Sequence, residues 1–293
     1  MRLTTKIITG IILSIFLLSL LHIIGYSFSE RRYFKSSYPI NSITIPQENK
    51  TELLIEPYRV FVFEAEQSET EGRFFCYFTD ADNGLFIHQT TTSEDNNKLF
   101  FPEDLNGFIS TKTNGDTLFL KIDLEKVREQ YDLIDEVNKK FKPTTRYGVP
   151  VTGVNLDLRS SKVNVINKLY RLPTRISNLE TDSIQIYASG EINIDFCKAN
   201  FIDPNSSRKI TVSNSVVKAI NIDLDIVNSW NIEPNCDVDT IFYTGSKRSN
   251  NMLLHSDSRG KIVWQPKNKE AELNIKIKGN TAQINFETQI LYD

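Results

Sequence analysis

Residues 182–194 read DSIQIYASGEINI, two short runs in which isoleucine alternates with polar residues, joined by Ser189-Gly190. Successive side chains of a β-strand point to opposite faces, so this pattern predicts two half-buried strands with a tight turn between them. The alternation predicts that the apolar side chains face a core, here and further along the chain: Ile184, Ile186, Ile192, Ile194, Ile220 and Ile222. It predicts that the polar side chains between them face outward: Gln185, Asn193 and Asn221.

Runs of the same kind recur across residues 151–293 at roughly the 8–12-residue spacing of all-β proteins. The predicted strands are 154–158, 163–165, 184–186, 192–194, 210–212, 220–224, 238–243, 253–254, 262–264, 273–277 and 284–286. Further turns are predicted at Asp203-Pro204-Asn205 and Lys278-Gly279-Asn280, because Gly, Pro, Asn and Asp favour turn conformations.

Such spacing is typical of a β-sandwich and of a β-solenoid with about two strands per coil. Three features favour the solenoid. The strands are short and similar, Asn recurs on their polar faces as in stacked ladders, and several pairs lie about 20 residues apart. Val163 with Ile184 and Ile222 with Ile241 are such pairs. We therefore expect a mainly β chain with a β-solenoid in its C-terminal half, and keep the β-sandwich as the alternative.

The order of strand, Ser-Gly turn and strand at residues 182–194 resembles the repeat of the GIN-type putative auto-transporter adhesin head domain. The resemblance covers residues 151–286 and shows one clear Ser-Gly turn where the family usually shows several. It implies a β-solenoid in a bacterial envelope protein, often behind an N-terminal signal or anchor. The family offers no established catalytic residues to carry over.

Residues 43–150 are expected to form a separate β-rich region with hairpins and one helix. Strands are predicted at 44–45, 53–55, 58–63, 74–78, 85–87 and 117–122. Asn83-Gly84 and Asn114-Gly115 each predict a hairpin turn, since Asn and Gly tolerate positive φ. An amphipathic helix is predicted from about Leu124 to Phe141, with Asp123 as its N-cap and Pro143 beyond its end.

Ile7 to Tyr26 form an apolar run that contains no charged side chain. Twenty helical residues at about 1.5 Å each span the roughly 30 Å hydrocarbon core of a bilayer. We expect residues 1–26 to be an uncleaved membrane anchor that contacts the lipid bilayer through Ile7 to Tyr26, followed by a juxtamembrane linker at 27–42. A cleavable signal peptide is the alternative, although its apolar region is usually only about 7–15 residues.

The basic residues on the two sides of this run are nearly balanced. Arg2 and Lys6 precede it, and Arg31, Arg32 and Lys35 follow it. The positive-inside rule and the extreme N-terminal position together favour a cytoplasmic N-terminus. The expected location is therefore the bacterial cell membrane, with a single span and the β domain on the periplasmic or extracellular side.

Composition excludes several classes of function. A net charge of −3 argues against nucleic acid as a partner, because that requires a basic face. The three cysteines, Cys76, Cys197 and Cys236, form no C-x-x-C motif. A disulfide between Cys197 and Cys236 is one alternative in an oxidising compartment, but the pattern favours three buried, inert thiols. The three histidines leave few candidates for a zinc site or a histidine-based triad: His22, His88 and His255.

No residue is predicted to be catalytic, cofactor-binding or metal-binding. Two pairs of acids, Asp223 with Asp225 and Asp237 with Asp239, lie on one face of a strand, which is usually solvated. The 80–84 stretch lacks the spacing of a calcium loop. Three aromatic residues either stack a sugar or fill the β core: Trp230, Tyr243 and Trp264.

These observations predict a non-enzymatic structural or adhesin-like binding module of the cell envelope, whose partner, protein or glycan, stays open. The alternative is a carbohydrate-active enzyme on a solenoid scaffold. A glycosidase needs two carboxyl groups about 5–9 Å apart across a cleft, with one of them desolvated. A cleft that gathers Asp223, Asp237 or Asp239 with an Arg or His and an aromatic wall would favour the enzyme.

Overall fold

The computed structural model describes residues 19, 43–66, 76–78, 83–89, 97–124, 126–127, 134–135, 140–141, 149–160, 163–255, 259–278 and 283–290. The chain divides into two compact units, Met1–Asn41 and Ser42–Asp293, and the fold below is that of the second unit. The predicted anchor and linker, residues 1–42, lie outside the described residues except for position 19. Among the helical residues that are described, none belongs to a helix of the length and apolarity that a membrane crossing requires.

Strands dominate the second unit. The described strands are β1 (Ile43–Thr44), β2 (Lys50–Leu54), β3 (Val60–Glu66), β4 (Cys76–Phe78), β5 (Gly84–His88), β6 (Lys98–Pro102), β7 (Ile109–Asn114), β8 (Thr117–Asp123), β9 (Ile134–Asp135), β10 (Lys140–Phe141), β11 (Val149–Thr152), β12 (Asn155–Arg159), β13 (Asn164–Asn167), β14 (Thr174–Ser177), β15 (Glu180–Ala188), β16 (Ile192–Asp195), β17 (Lys198–Ser206), β18 (Lys209–Ser213), β19 (Val216–Asp223), β20 (Ser229–Ile232), β21 (Asp237–Gly245), β22 (Asn250–His255), β23 (Arg259–Pro266), β24 (Leu273–Lys278) and β25 (Gln283–Thr288). A short 3-10 helix, Glu103–Leu105, follows β6.

From β13 onward the strands alternate between two sheets. The odd-numbered strands β13 to β25 lie side by side in a ten-stranded sheet. The even-numbered strands β14 to β20 lie in an eight-stranded sheet, while β22 and β24 pair with each other. Apart from the break between β20 and β22, each strand therefore pairs in parallel with the strand two positions along the chain, which is a solenoid with two strands per coil. The expected β-solenoid is confirmed. The alternative β-sandwich would contain antiparallel strands, whereas the strands from β13 onward pair in parallel.

The coil repeat is irregular in length. Ile184 lies opposite Ile202, Ile202 opposite Ile220, and Ile220 opposite Ile241, so that successive repeats contain 18, 18 and 21 residues. Ile222 lies opposite Tyr243, which gives the same 21-residue repeat at this coil. Unequal corners between the strands absorb the difference.

One apolar core runs between the two sheets. The six isoleucines predicted to face inward are all fully buried. The polar residues between them, Gln185, Asn193 and Asn221, are half-buried on the outer faces, as predicted. Because neighbouring coils are in register, each inward side chain stacks on its equivalent in the next coil, and the apolar surface of one coil is covered by the others.

The strands on either side of residue 150 share the same sheets. β3 and β8 belong to the ten-stranded sheet, and β5 and β12 belong to the eight-stranded sheet. Antiparallel strands close the N-terminal edges, where β2 pairs with β6 and β7 pairs with β8. The β7–β8 turn is the predicted Asn114-Gly115 hairpin, and its Gly115 has φ +62°.

The hairpin predicted at Asn83-Gly84 is wrong. β4 pairs with β11, whereas β5 pairs with β12 and β14. Asn83 is fully buried; its side-chain nitrogen donates to the carbonyl of Val151 (3.2 Å), and its side-chain oxygen accepts from the N–H of Val154 (3.0 Å). Asn83 therefore links two coils at a corner, a role that the turn propensity of Asn-Gly does not reveal.

The helix predicted over Leu124 to Phe141 is also wrong beyond its first turn. Leu124, Lys126 and Val127 have helical backbone, and Asp123 caps them as predicted by accepting from the N–H of Lys126 (3.0 Å). Ile134–Asp135 and Lys140–Phe141, however, pair as antiparallel strands. Leu124 and Val127 are buried against the solenoid, so tertiary packing uses only the start of the amphipathic pattern.

The turn predicted at Asp203-Pro204-Asn205 is instead part of β17. Proline cannot donate a ladder hydrogen bond and is confined to positions where one side of a strand is unpaired. Pro204 meets this condition, because the pairing of β17 with β19 ends at Ile202 while the pairing with β15 continues through Pro204. The turn predicted at residues 278–280 lies outside the described residues from Gly279 onward.

Three successive corners use a left-handed residue at equivalent positions. Asn178, Phe196 and Asn214 follow β14, β16 and β18 at intervals of 18 residues and have φ of 55°, 49° and 47°. Asparagine adopts this conformation readily, whereas a bulky aromatic residue is strained there. Phe196 is also 58% exposed, so burial does not compensate for the strain.

Candidate functional site

The outer face of the ten-stranded sheet has a gap where β13 begins. β13 has four residues and its neighbour β15 has nine. Because Asn164, the first residue of β13, lies opposite Gln185, residues 180–184 of β15 extend past the start of β13. A depression remains between this extension and the β3 side of the sheet, and we call it the outer groove.

The outer groove has a volume of about 640 Å³, within the range of roughly 300–1,000 Å³ typical of small-molecule sites. Its lining comes from β15, from the start of β13, and from the approach to β3 with the neighbouring β7–β8 turn: Thr181, Ser183, Gln185, Val163, Asn164, Arg59, Val60 and Asp116. Hydroxyl and amide groups therefore predominate among its polar atoms.

The two amide side chains of the outer groove have no hydrogen-bond partner among the described residues. Asn164 and Gln185 are in register on adjacent coils, yet their side chains do not bond to each other. Elsewhere on this sheet such neighbours do pair. Asn221 donates to Asp203 (2.8 Å), and Asn200 donates to Asp182 (2.8 Å). The groove thus presents donors and acceptors of the kind that Asn221 and Asn200 of the same sheet use in bonds between coils.

The charges at the rim of the outer groove cancel. Arg59 Nε lies 3.9 Å from Asp116 Oδ2, with side chains 79% and 62% exposed. Such an exposed pair contributes little to stability. The backbone holds the two residues together more firmly, since the N–H groups of Arg59 and Val60 donate to the carbonyl of Asp116 at 2.8 and 3.2 Å. The groove therefore has no net charge.

An aromatic ring lies next to the outer groove. Tyr187 is on the same face of β15 as Gln185, two residues further along, which places the two Cα atoms roughly 7 Å apart. Its side chain is 46% exposed. Ile166, Val62 and Phe119 continue the row across the next three strands, each opposite its neighbour. An apolar row thus runs beside the polar groove.

The first predicted pair of acids, Asp223 and Asp225, forms an ion cluster with Lys267. The ammonium nitrogen of Lys267 lies 2.7 Å from both carboxylate oxygens of Asp223 and 2.9 Å from Asp225. Burial alone would raise the pKa of Asp225, but hydrogen bonds from Ser246 and Lys267 hold it below its ordinary value. The cluster joins the corner after β19 to the corner after β23, so these carboxylates stabilise the stacking of coils.

The second pair, Asp237 and Asp239, lies on the exposed start of β21 beside a shallow depression of about 350 Å³ that also contains Lys198 and Lys218. Val216 at the start of β19 lies opposite Asp237, and Asp223 is at the end of the same strand. Seven residues of strand separate these positions, roughly 23 Å. Asp223 is therefore too distant to share this depression, and the residues that line it include no Arg, His or aromatic side chain. Both carboxylates on β21 are solvated, whereas a glycosidase needs one that is desolvated.

The aromatic residues singled out in the sequence fill the core. Tyr243 and Trp264 are 2% and 5% exposed, and Trp230 packs partly buried against Tyr243 with ring centroids 5.6 Å apart. The indole N–H of Trp230 donates to the hydroxyl of Tyr243 (3.2 Å). Burial raises the pKa of Tyr243 to about 12. These rings are not an exposed sugar platform.

The structure brings together a serine, a histidine and an aspartate that sequence spacing did not connect. Ser177 Oγ lies 2.8 Å from His88 Nδ1, and His88 Nε2 lies 3.4 Å from Asp157 Oδ1. A serine hydrolase also needs donors aimed at a developing oxyanion. Ser177 instead lies in a flat parallel ladder, directly between His88 and Asp195. The adjacent Asp195 carboxylate would repel an oxyanion, so the arrangement does not form a hydrolase site.

Cys197 and Cys236 are free, and the coil register explains why they do not pair. Lys198, Val216 and Asp237 lie opposite one another in successive coils, so the preceding residues, Cys197, Ser215 and Cys236, also form a stack. Two coil spacings of about 4.8 Å place the cysteine Cα atoms beyond the roughly 7 Å limit for a disulfide. Burial raises the pKa of both thiols, which favours the inert form.

Metal ligands are not gathered either. Across the part of the chain that the structure describes, no three His, Cys, Asp or Glu side chains are grouped so that they could hold a metal ion. Sequence reasoning placed Gln185 on an outer face but did not select it, since the groove depends on strands from separate parts of the chain.

No protein-family model and no curated protein matches the sequence. Among solved structures, the chain is similar to a "putative adhesin" from Bacteroides fragilis, with 13% identity, a TM-score of 0.44, and coverage of 85% of this chain and 100% of that chain. It is also similar to a "putative lipid binding protein" from Parabacteroides distasonis, with 13% identity, a TM-score of 0.34, and coverage of 84% and 99%. A third similar structure is a "putative adhesin" from Parabacteroides merdae, with 7% identity, a TM-score of 0.32, and coverage of 85% and 99%. Two of these three structures are thus described as putative adhesins, at identities of 13% and 7%.

Proposed function

We propose that this protein is a non-enzymatic, adhesin-like binding module of the cell envelope and that the outer groove is its binding site. The observation that carries the proposal is the pair of amides, Asn164 and Gln185, which line a groove of about 640 Å³ without a hydrogen-bond partner among the described residues. Half-buried amides gain more from a ligand that bonds to them than from disordered water, because their desolvation is partly complete.

Binding is tested with the full chain in detergent micelles on an array that carries both glycans and deglycosylated envelope proteins. We expect at least one spot to retain the wild-type chain and to lose the double variant Asn164→Ala/Gln185→Ala. Asn193→Ala is the matched control, since Asn193 is an outward, half-buried amide on the other sheet. Retention of the double variant on every positive spot, or no positive spot at all, would refute the outer groove as a binding site.

We also propose that the module is tied to the membrane by Ile7 to Tyr26, with its N-terminus in the cytoplasm and the β domain on the periplasmic or extracellular side. The length and uncharged character of this run support the proposal. Alkaline phosphatase fused after Asp293 should then be active. An inactive fusion together with an active cytoplasmic reporter would reverse the orientation, and a mature product lacking residues 1–27 would show cleavage instead of anchoring.

The enzyme alternative is tested on the same glycans. Asp237 and Asp239 line one depression, but both are solvated, which supports a binding role over catalysis. We expect prolonged incubation of a bound glycan with the full chain to release no new reducing ends. Release that disappears in Asp237→Asn/Asp239→Asn would establish the enzyme.

A further inference from the structure

We infer that the outer groove takes a neutral saccharide, with hydroxyl groups bound by Asn164 and Gln185 and one ring face stacked on Tyr187. This inference rests on the proposed function and names the chemical class of its ligand. It follows from three properties of the surface: its charge, its hydrogen-bonding groups and the position of its aromatic ring.

The charge of the outer groove selects against ionic ligands. Arg59 and Asp116 are the charged residues of its lining, and they lie 3.9 Å apart as an ion pair. An acidic ligand would meet the Asp116 carboxylate, and a basic ligand would meet the Arg59 guanidinium. A neutral ligand is not penalised by either group, so binding should depend weakly on salt.

The hydrogen-bonding groups match neighbouring hydroxyls. Each amide side chain offers two donor hydrogens and an acceptor oxygen, so it can bond to one hydroxyl as donor and to another as acceptor. Asn164 and Gln185 lie opposite each other on strands about 4.8 Å apart. Thr181 and Ser183 add hydroxyls that act as donor or acceptor along the same wall. These amides and hydroxyls therefore suit a ligand with several neighbouring hydroxyl groups better than a ligand with a single polar atom.

The aromatic ring supplies the apolar half of the site. Tyr187 is 46% exposed, and Ile166 lies directly opposite it on the neighbouring strand. A saccharide ring carries hydroxyls at its rim and C–H bonds on its faces, so it presents both surfaces at once. The amides of the groove can bond to the hydroxyls, and the ring of the adjacent tyrosine can stack on a C–H face.

The array separates this inference from the proposed function. The wild-type chain should bind neutral glycans more strongly than sialylated or sulfated ones, and free neutral disaccharides should compete with this binding. Tyr187→Ala should weaken it about tenfold, whereas Tyr187→Phe should retain it, since stacking requires the ring and not the hydroxyl. The double variant Asn164→Ala/Gln185→Ala should lose it, and Asn193→Ala should keep it.

Other results of the array would show whether the neutral saccharide alone, or also the outer groove as a binding site, is wrong. Binding to deglycosylated proteins or acidic glycans that the double variant loses would overturn the neutral saccharide and leave the outer groove as a binding site. Neutral-glycan binding that survives the double variant would refute both assignments, because the sugar would be held elsewhere. Circular dichroism of each variant, matched to the wild-type spectrum, excludes misfolding as the cause of a loss.

Discussion

Replacing Ile192 by alanine tests the stacked core of the solenoid. Ile192 is 0% exposed and lies between Thr174 and Ile210, its equivalents in the two neighbouring coils. The substitution removes three carbons, each worth about 0.8 kcal/mol when buried, or about 2.4 kcal/mol in all. A residual cavity of about 50 Å³ would add roughly 1.2 kcal/mol at about 24 cal/mol per Å³. We therefore expect a loss of about 3–4 kcal/mol in the free energy of unfolding.

The next residue along the chain is the matched control. Asn193 lies on the outer face of the same strand and its side chain has no hydrogen-bond partner among the described residues. Asn193→Ala should change the free energy of unfolding by no more than about 0.5 kcal/mol. Guanidinium unfolding of the full chain at constant detergent, followed by far-ultraviolet circular dichroism, measures both variants.

The guanidinium midpoints of the two variants can be compared directly if both unfold with the same dependence of free energy on denaturant concentration. If Asn193→Ala costs as much as Ile192→Ala, the assignment of inner and outer faces is wrong. If Ile192→Ala costs less than about 1 kcal/mol, the coils do not share a packed core. A lower slope would instead show that the coils unfold separately, as solenoid repeats can.

Three further substitutions test the corners and the ion cluster. Gly190→Ala should cost about 1–3 kcal/mol in guanidinium unfolding, because the added Cβ would lie 2.0 Å from the carbonyl oxygen of Leu172; an unchanged midpoint would contradict that close approach. Phe196→Asn should raise the free energy of unfolding by about 1 kcal/mol through relief of left-handed strain at an exposed position, and a loss of stability would show that the ring contributes packing. Lys267→Met should flatten the acid side of the stability profile, measured from about pH 6 to pH 2. The lowered pKa of Asp225 contributes stability that is fully present above its ordinary value of 3.8 and is lost as pH falls through the lowered value. An identical acid profile in wild type and variant would exclude that linkage.

The inner and outer faces of the C-terminal strands were predictable because strand periodicity is a local property. Whatever lies beside β16, Ile192 and Ile194 point to one face and Asn193 to the other. The Asn114-Gly115 hairpin was predictable for a similar reason, since it joins two strands that are adjacent in sequence and pair with each other.

The same local reasoning failed where a distant strand decides the conformation. Asn83-Gly84 has the composition of a hairpin turn, but Asn83 is held by Val151 and Val154, about 70 residues away in the chain. Pro204 is tolerated within β17 because the neighbouring ladder with β19 ends before it. Propensity describes a residue in isolation, and these contacts override it.

By itself, the sequence determined that the chain is mainly β and which face of each alternating C-terminal strand is buried, because each property depends on neighbours in the chain. Only the tertiary structure decided where a binding surface lies. The outer groove brings together Arg59, Asp116, Asn164 and Gln185 from four separate stretches. It exists because β13 is shorter than β15, and the relative lengths of paired strands are settled only when the coils stack.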